Sequence, residues 1–300
     1  MRIAVTGGSG FIGSHVVDHL VAAGHRGVVV DQRAPHRPDV EHALGDLRDL
    51  ESLVAATRDC EAIFHLAAVS NVNDVFDQPI DAIDLNVTGT ARVLEAGRRN
   101  NVDRVFFAST VWVYGSAAGD GDLGEDALID TEIPSHLYTA SKIASELVIR
   151  SFDELYGLPF TILRYGVPFG PRMRDELVIP RFVRMAMAGE TITVSGDGLQ
   201  FRNYVYVEDL ARAHVLALDP AARNEVFNLE GPKPISIRAI VEALQDVLGR
   251  EIAVEYGPAR PGDFHGRAVS GDKIEKVLDW KPHTSFEEGL RRYVEWYTAG

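Results

Sequence analysis

The stretch that decides the fold is Arg2-Ile-Ala-Val-Thr-Gly-Gly-Ser-Gly-Phe-Ile-Gly-Ser14. Its β-branched beginning, Arg2–Thr6, predicts a strand, and helical periodicity follows the glycines. Gly7 permits a tight turn, Gly10 lets a pyrophosphate approach the backbone, and Gly13 lets the helix pack closely on the sheet. This strand, turn and helix predict a dinucleotide site whose phosphates face the helix N-terminus.

A carboxylate stands at the end of the second apolar run. Asp31 is suited to the hydroxyls of an adenosine ribose and repels a 2′-phosphate, so it favours NAD as the cofactor. Arg33 could receive a 2′-phosphate, which leaves NADP as the alternative. Asp46 follows an expected third strand and is a candidate adenine contact, whereas a helix N-cap for the segment from Asp49 is the competing role for these acids.

Strands and helices alternate through the first half of the chain. Further apolar runs follow the first, at Gly27–Asp31, Ala62–Leu66, Arg104–Ser109 and Phe160–Arg164. Because parallel strands need crossover connections, this rhythm predicts an α/β protein with a Rossmann-type doubly wound parallel sheet over residues 1–165. Proline and glycine then break the rhythm. We expect a smaller mixed α/β C-terminal substrate domain over residues 166–300, with a segment near 203–228 returning to the first domain.

Composition excludes several classes of function. The 300 residues carry a formal charge of −14, and nucleic-acid binding needs a concentrated positive surface, so no nucleic-acid partner is expected. No export signal and no apolar run of about 18 residues is found, so we expect a cytoplasmic protein without a membrane partner. The single Cys60 allows no intramolecular disulfide, and the ten histidines lack metal-ligand spacing, so no metal is predicted.

A tyrosine and a lysine are spaced to share one helix face. Tyr138 and Lys142 are four residues apart, at the start of an amphipathic segment. A tyrosine ionises at about pH 10, so it serves as a base near neutrality only if a cation such as a lysine ammonium stabilises the phenolate. We therefore predict a hydride-transfer site. Thr110, in preference to Ser109, is the candidate third group, because both follow a strand at the ligand-binding edge of the sheet.

Several motifs together carry a family resemblance. They are Thr6–Gly13, His65–Ala68, Asn86–Thr90, Ser109–Gly115, Tyr138-x-x-x-Lys142, Gly196–Gly198, Arg202–Asp209 and Arg260–Asp263. They resemble the extended short-chain dehydrogenase/reductase family, and more narrowly its NAD-dependent sugar-nucleotide epimerase/dehydratase branch, of the UDP-glucose 4-epimerase type. The resemblance covers nearly the whole chain.

The resemblance implies roles for individual residues. Tyr138 would be the base, Lys142 would hold the nicotinamide ribose and tune Tyr138, and Thr110 would hydrogen-bond to the sugar hydroxyl. Cofactor contacts are expected at Gly7, Gly10, Phe11, Ile12, Gly13, Asp31, Asp46, Leu47, Leu66, Ala67, Ala68, Asn86, Ser109, Tyr138, Lys142 and Tyr165. Contacts to a UDP- or dTDP-sugar are expected at Thr110, Val167, Arg172, Arg202, Arg260 and Asp263. Helices that begin near Asp81 and Tyr138 would form a homodimer interface.

The residues after the expected catalytic threonine bear on the reaction. Relatives that are 4,6-dehydratases place an Asp-Glu pair there, and decarboxylating relatives commonly keep a carboxylate. This chain has Val111 and Trp112, which cannot move a proton. We therefore predict C4 epimerisation through a transient keto-sugar, without dehydration or decarboxylation. Reduction of a keto-sugar is the main alternative, and a non-catalytic sensor of NAD or sugar nucleotides is a more remote one.

The expected substrate site departs from its relatives. Val167 stands where epimerases of the UDP-glucose type often have asparagine, and a second asparagine is replaced within Leu177–Pro180. Asn203 follows Arg202 where aspartate is commoner. Losing hydrogen-bonding groups redirects specificity, so the sequence leaves the sugar, hexose or hexuronate, and the nucleotide base open.

Overall fold

A computed structural model describes residues 1–115, 123–129, 136–259 and 269–299, except for the side chain of Val72. The strands are β1 (Arg2–Thr6), β2 (Arg26–Val30), β3 (Glu41–Ala43), β4 (Ala62–His65), β5 (Arg104–Thr110), β6 (Phe160–Tyr165), β7 (Val167–Phe169), β8 (Ile192–Ser195), β9 (Phe201–Tyr206), β10 (Glu225–Leu229), β11 (Pro234–Ser236) and β12 (Val254–Gly257). The α-helices are α1 (Phe11–Ala22), α2 (Leu50–Ala56), α3 (Val72–Asp77), α4 (Pro79–Ile83), α5 (Gly89–Arg99), α6 (Leu137–Tyr156), α7 (Val178–Ala188), α8 (Val207–Leu216), α9 (Ile237–Leu248), α10 (Asp272–Leu278) and α11 (Phe286–Ala299).

Seven parallel strands form the main sheet, in the order β10-β6-β5-β4-β1-β2-β3. The chain leaves β1 in one direction through β2 and β3, and in the other through β4, β5 and β6. At the reversal Thr6 pairs with both Val30 and His65, and further along the same edge Thr110 pairs with Tyr165. The predicted doubly wound Rossmann-type sheet is confirmed, and its carboxyl edge is where such sheets bind ligands.

Apolar layers cover both faces of the main sheet. Along β6, Phe160 and Ile162 face the layer shared with α2, α5 and α6, whereas Leu163 and Tyr165 face the layer shared with α1 and α8. All six residues of β6 are buried. A strand covered on both faces needs a nearly continuous apolar run, which explains why this segment lacks the alternation of a half-exposed strand.

A second body of structure lies beyond β6. Strands β11, β9 and β7 form a small sheet, and β12 pairs with β8. With α7, α9 and α11 they enclose a third apolar core that includes Phe169, Phe182, Leu244 and Leu290. The expected smaller mixed α/β unit is therefore present. The chain also returns to the main sheet, because α8 packs on α1 and β10 pairs with β6, so the domain limits at residues 165 and 166 stay a prediction.

No helix in the described ranges is long and apolar enough to cross a lipid bilayer.

Candidate active site

The turn between β1 and α1 leaves room for an anion because most of its residues are glycines. Gly7 has a φ of +72°, and a Cβ on it would lie 2.8 Å from the Ala67 backbone nitrogen. A Cβ on Gly13 would lie 2.1 Å from the Gly7 carbonyl oxygen. Gly10 offers no capping side chain and the first turn of α1 has no acid, so the N–H groups of Phe11 and Ile12 remain available. The turn therefore fits a dinucleotide pyrophosphate.

Asp31 is fixed beside the glycine turn. Its Oδ2 accepts a hydrogen bond from the Ser9 backbone nitrogen at 3.1 Å, and its Oδ1 accepts one from the Arg33 backbone nitrogen at 3.0 Å. The Arg33 side chain is largely exposed and lies 3.8 Å from the same carboxylate. A fixed carboxylate at this position fits the ribose diol of NAD.

The expected adenine contacts follow β3. Asp46 Oδ1 accepts from the Arg48 backbone nitrogen at 2.8 Å, and Leu47 packs against Gly89 at the start of α5. The N-cap expected near here is formed by Asp49, which accepts from the backbone of α2 at 3.0 and 3.2 Å.

A buried histidine braces the end of β4. Thr90 Oγ1 donates to the Asn86 carbonyl oxygen at 2.6 Å, so it accepts from His65 Nε2, which lies 3.1 Å away. His65 Nδ1 then accepts from Thr6 Oγ1 at 2.8 Å, and Thr6 in turn accepts from the Ala67 backbone nitrogen. Burial lowers the pKa of His65 to about 3, so the imidazole is neutral. This brace holds Leu66, Ala67 and Ala68 against the glycine turn.

Asn86 lies in a π-helical turn, Asp84–Thr88, between α4 and α5. Its Oδ1 accepts from the Val69 backbone nitrogen at 2.8 Å, and its Nδ2 donates to the Val69 carbonyl oxygen and to Ser141 Oγ, both at 3.0 Å. The wider π-helical turn is a common device at functional sites. Because the side-chain amide is fully bonded within the protein, Asn86 ties the segment after β4 to α6, and its expected cofactor contact stays a prediction.

Tyr138 and Lys142 lie on one face of the first two turns of α6. The Lys142 ammonium lies 5.9 Å from the centre of the Tyr138 ring and donates to the Ala108 carbonyl oxygen at 2.7 Å. Burial lowers the pKa of Lys142 to about 7, against the opposing effect of Glu146. Burial raises the pKa of Tyr138 to about 12. Its hydroxyl therefore stays protonated near neutral pH unless positive charge beyond that of Lys142 is bound beside it.

A buried ion pair lies directly behind this lysine, and sequence reasoning missed it. Arg164 Nη2 donates to Glu146 Oε2 at 2.6 Å and Arg164 Nε donates to Glu146 Oε1 at 3.0 Å. Ser109 Oγ donates to the same carboxylate at 2.6 Å, and Arg164 Nη1 donates to Tyr114 Oη at 2.8 Å. The pair fixes α6, β5 and β6 relative to each other. Two features of the sequence could have indicated this pair: Glu146 stands one helical turn after Lys142, and Arg164 is the one charged residue in an apolar strand.

Thr110 ends β5 and caps the short 3₁₀ helix Val111–Tyr114 by accepting from the Trp112 backbone nitrogen at 3.2 Å. Its hydroxyl hydrogen remains available for a ligand. The ring of Trp112 packs on His136, with centroids 4.9 Å apart, and His136 lies next to Tyr138, with centroids 6.4 Å apart. The structure therefore brings Thr110 and Tyr138 to the same edge of the main sheet.

Tyr165 lies at this edge with its hydroxyl turned away from it. His214 Nδ1 lies 2.9 Å from the Leu210 carbonyl oxygen and so carries the hydrogen, which leaves Nε2 to accept from Tyr165 Oη at 2.5 Å. The hydroxyl is thus occupied on the α8 side. Only the ring and the backbone of Tyr165 remain for the expected cofactor contact, which stays a prediction.

The expected substrate residues are less tightly grouped. Val167 pairs with Tyr204 in the small sheet. Arg202 lies in β9, and its Nη1 donates to the Phe201 carbonyl oxygen at 2.7 Å. Arg172 has a φ of +67° and binds Asp18 of α1 at 2.8 Å, so it is engaged within the protein. Arg260 and Asp263 lie outside the described residues.

Comparison with known proteins agrees with this geometry. The Rossmann-type sheet and the glycine turn define an NAD-binding enzyme of the extended short-chain dehydrogenase/reductase type. Residues 3–229 match the NAD dependent epimerase/dehydratase family, so this chain belongs to that family of enzymes, and its cofactor is NAD.

The most similar relatives differ in activity. The chain is 34% identical to the low-salt glycan biosynthesis protein Agl12 of Haloferax volcanii, over 99% of this chain and 98% of that protein. A UDP-glucose 4-epimerase of Thermotoga maritima, solved with UDP-glucose, is 31% identical with a TM-score of 0.92, covering 100% and 99% of the two chains. The dTDP-glucose 4,6-dehydratase DesIV of Streptomyces venezuelae, solved with NAD, is 32% identical with a TM-score of 0.91, covering 100% and 98%. A decarboxylase is also among the relatives.

Proposed function

We propose that the protein is an NAD-dependent C4 epimerase of a nucleotide-diphosphate sugar. The observation that carries the proposal is the start of the 3₁₀ helix after Thr110, where Val111 and Trp112 stand and Trp112 packs on His136. Elimination of water needs a further acid and base to act on the leaving hydroxyl and on C5. Epimerisation needs only one group that removes and returns a proton.

The residues at the sheet edge are suited to that single proton transfer. We assign Tyr138 to take the proton of the sugar C4 hydroxyl and later to return it. The Lys142 ammonium stabilises the phenolate, and Thr110, whose oxygen already accepts from Trp112, donates its hydrogen to the same sugar oxygen. NAD held by the glycine turn and Asp31 would supply a reversible hydride acceptor at C4.

Inversion requires the keto-sugar to present its opposite face to the cofactor. Val167, beside the end of β6, offers no hydrogen bond that would hold the sugar in one orientation. Arg202, on the small sheet, is our candidate anchor for the diphosphate, which stays bound while the sugar turns. The substrate class, a UDP- or dTDP-linked hexose or hexuronate, is part of the proposal and is supported by the UDP-glucose complex of the similar epimerase.

A substrate screen without added cofactor tests the function. The purified protein is incubated with UDP- and dTDP-hexoses and hexuronates, and products are separated chromatographically while NADH absorbance is followed. We expect a C4 epimer to form with no net change in NADH. Accumulation of a 4-keto-6-deoxy sugar would show that the protein is a dehydratase and not an epimerase. A parallel incubation supplies NADH and a 4-keto-sugar nucleotide, and stoichiometric oxidation of NADH there, with no epimer formed in the screen, would show that the protein is a reductase.

We also propose a homodimer formed through α6 and the helical segment that begins at α4. Ile80 and Leu147 are 81% and 60% exposed on these elements, although both side chains are apolar. Burying such a patch against a second copy removes it from water. Replacing Leu147 with glutamate is expected to shift the mass measured by light scattering from dimer to monomer. A monomeric mass for the unaltered protein would refute the dimer.

A further inference from the structure

Three chain segments meet where the main sheet adjoins the small sheet. Gly166 follows β6, Asn203 lies in β9, and Glu230 follows β10. A Cβ on Gly166 would lie 2.5 Å from Glu230 Oε2 and 2.9 Å from the Asn203 carbonyl oxygen. We call these three residues the junction. The absence of a side chain at position 166 is what makes space for the Glu230 carboxyl group.

Glu230 lies on the same face of the main sheet as the residues of the active site. Val226 contributes to the core layer that includes α6, and Asn228 bonds with Tyr114 on that side, at 2.8 Å. Because side chains alternate along a strand, Glu230 continues this series one residue beyond β10. It therefore lies in the angle between the two sheets and is only 6% exposed.

Within the described ranges of the chain, the junction contains two buried oxygen atoms without hydrogen-bond partners. The Asn203 amide lies close enough to the Glu230 carboxyl group to lower its pKa, while Asn203 Oδ1 and Glu230 Oε2 have no hydrogen-bond partner among the residues that the structure describes. Both atoms are acceptors if Glu230 is ionised, so neither can satisfy the other. A neutral carboxylic acid and a primary amide are complementary, since the acid O–H donates to the amide oxygen while the amide N–H donates to the acid. One proton therefore satisfies both atoms.

The surrounding charges do not favour a carboxylate. Arg164, two residues before Gly166, is bonded to Glu146, and Lys233, on the segment after Glu230, is bonded to Glu287. Arg202 donates to the Phe201 carbonyl oxygen, and no ion pair joins Glu230 to any residue that the structure describes. An unpaired buried charge is costly, so such a group takes up a proton instead.

We propose that Glu230 carries a proton in the folded protein and shares it with Asn203, and that this bond is a positioning contact that holds the Arg202 strand against the main sheet. The positioning part rests on the proposed role of Arg202 at the diphosphate. The proton itself is independent of that role. Glu230 is thus a positioning residue that acts through the strand beside it.

The proposal predicts a pH dependence of stability with a definite sign. Burial raises the pKa of Glu230 from 4.5 to about 8, while the Gly231 backbone and Asn203 oppose the shift. The folded protein therefore keeps a proton that the unfolded chain loses, and the contribution to stability is complete below about pH 4.5 and is lost as the pH rises through about 8.

The stability experiment compares the unaltered protein with Glu230→Gln in urea unfolding from pH 5 to pH 9. Glutamine keeps the shape and cannot ionise. Between about pH 5 and 8 the unfolding constant of the unaltered protein should rise up to about tenfold per pH unit relative to that of the variant. Glu255→Gln, at an exposed site, is the matched control and should follow the unaltered protein. Parallel profiles for Glu230→Gln and the unaltered protein would overturn the proposal.

A second measurement does not depend on unfolding. The C=O stretch of a protonated carboxyl group should be present in the infrared spectrum of the unaltered protein at pH 7 and absent in Glu230→Gln. Identical spectra would contradict a neutral Glu230.

The positioning part is tested with UDP, whose affinity is measured by calorimetry at pH 7.5 and pH 9. We expect the affinity of the unaltered protein to fall severalfold and that of Glu230→Gln to stay constant. An equal fall in both would overturn the positioning part. Inactivity toward every sugar nucleotide would contradict the proposed function, but it would not change the stability and infrared results expected for Glu230.

Discussion

Replacing Tyr138 with phenylalanine is expected to lower kcat by a factor of about 10² to 10⁴, because the substitution removes the only group assigned to move the C4 proton. The ring, and with it the packing beside His136, is retained. Most of the expected cofactor contacts lie on other elements, among them the glycine turn and Asp31, and the phenylalanine ring keeps the shape of Tyr138, so NAD binding should be largely unchanged. The measurement is turnover of the substrate found in the screen, with NAD affinity followed separately.

Tyr156 supplies a matched control for this substitution. It lies on the same helix, α6, and is 55% exposed. Tyr156→Phe also removes a phenol hydroxyl, but at the far end of the helix, and it should leave kcat unaltered. Unchanged turnover in Tyr138→Phe would remove the proposed mechanism, whereas loss of NAD binding would mean that the variant had disturbed the fold.

Replacing Glu146 with leucine should cost about 3–5 kcal/mol of unfolding free energy, because it leaves the Arg164 guanidinium buried without its counter-ion. The two side chains are 3% and 2% exposed. Burial alone would lower the pKa of Arg164, but its hydrogen bonds to Glu146 raise it overall, so the arginine stays charged. Urea unfolding measures the loss.

The double variant Glu146→Leu with Arg164→Met decides whether charge is the cause. Removing both charges should recover most of the lost stability, since apolar residues of similar volume often replace a buried pair without cost. Glu95→Gln is the surface control, because Glu95 pairs with Arg98 and Arg99 where solvent screens the charges, and it should have a much smaller effect. A double variant as unstable as the single one would show that packing dominates.

The cofactor half of the site was predictable because its requirements are local. The glycine turn, Asp31 directly after β2, and the four-residue spacing of Tyr138 and Lys142 each place their groups within one short segment. A Cβ on Gly13 would lie 2.1 Å from the Gly7 carbonyl oxygen, which leaves no other residue type acceptable there, so the sequence at this position has little freedom. The main sheet follows from the same segments, because strand, turn and helix recur in order.

The polar interior was not predictable because its partners are far apart in the sequence. Glu146 meets Arg164 and Ser109 only after α6, β6 and β5 have packed, and no periodicity marks such a set. The same holds for Glu230, whose surroundings come from three separate segments. Where side chains are paired across the fold, a single sequence shows only that a charged residue stands where an apolar one is expected.

The position of β10 also constrains the order in which the main sheet can form during protein synthesis. This strand covers the outer side of β6 in the main sheet, yet it is encoded after the small sheet has begun. A nascent chain that ends after residue 165 would expose the backbone of β6 as an open edge, which invites pairing with other chains. The ribosome must therefore deliver residue 229 before the sheet is closed. Premature termination anywhere between these points should yield aggregates and no free nucleotide-binding half.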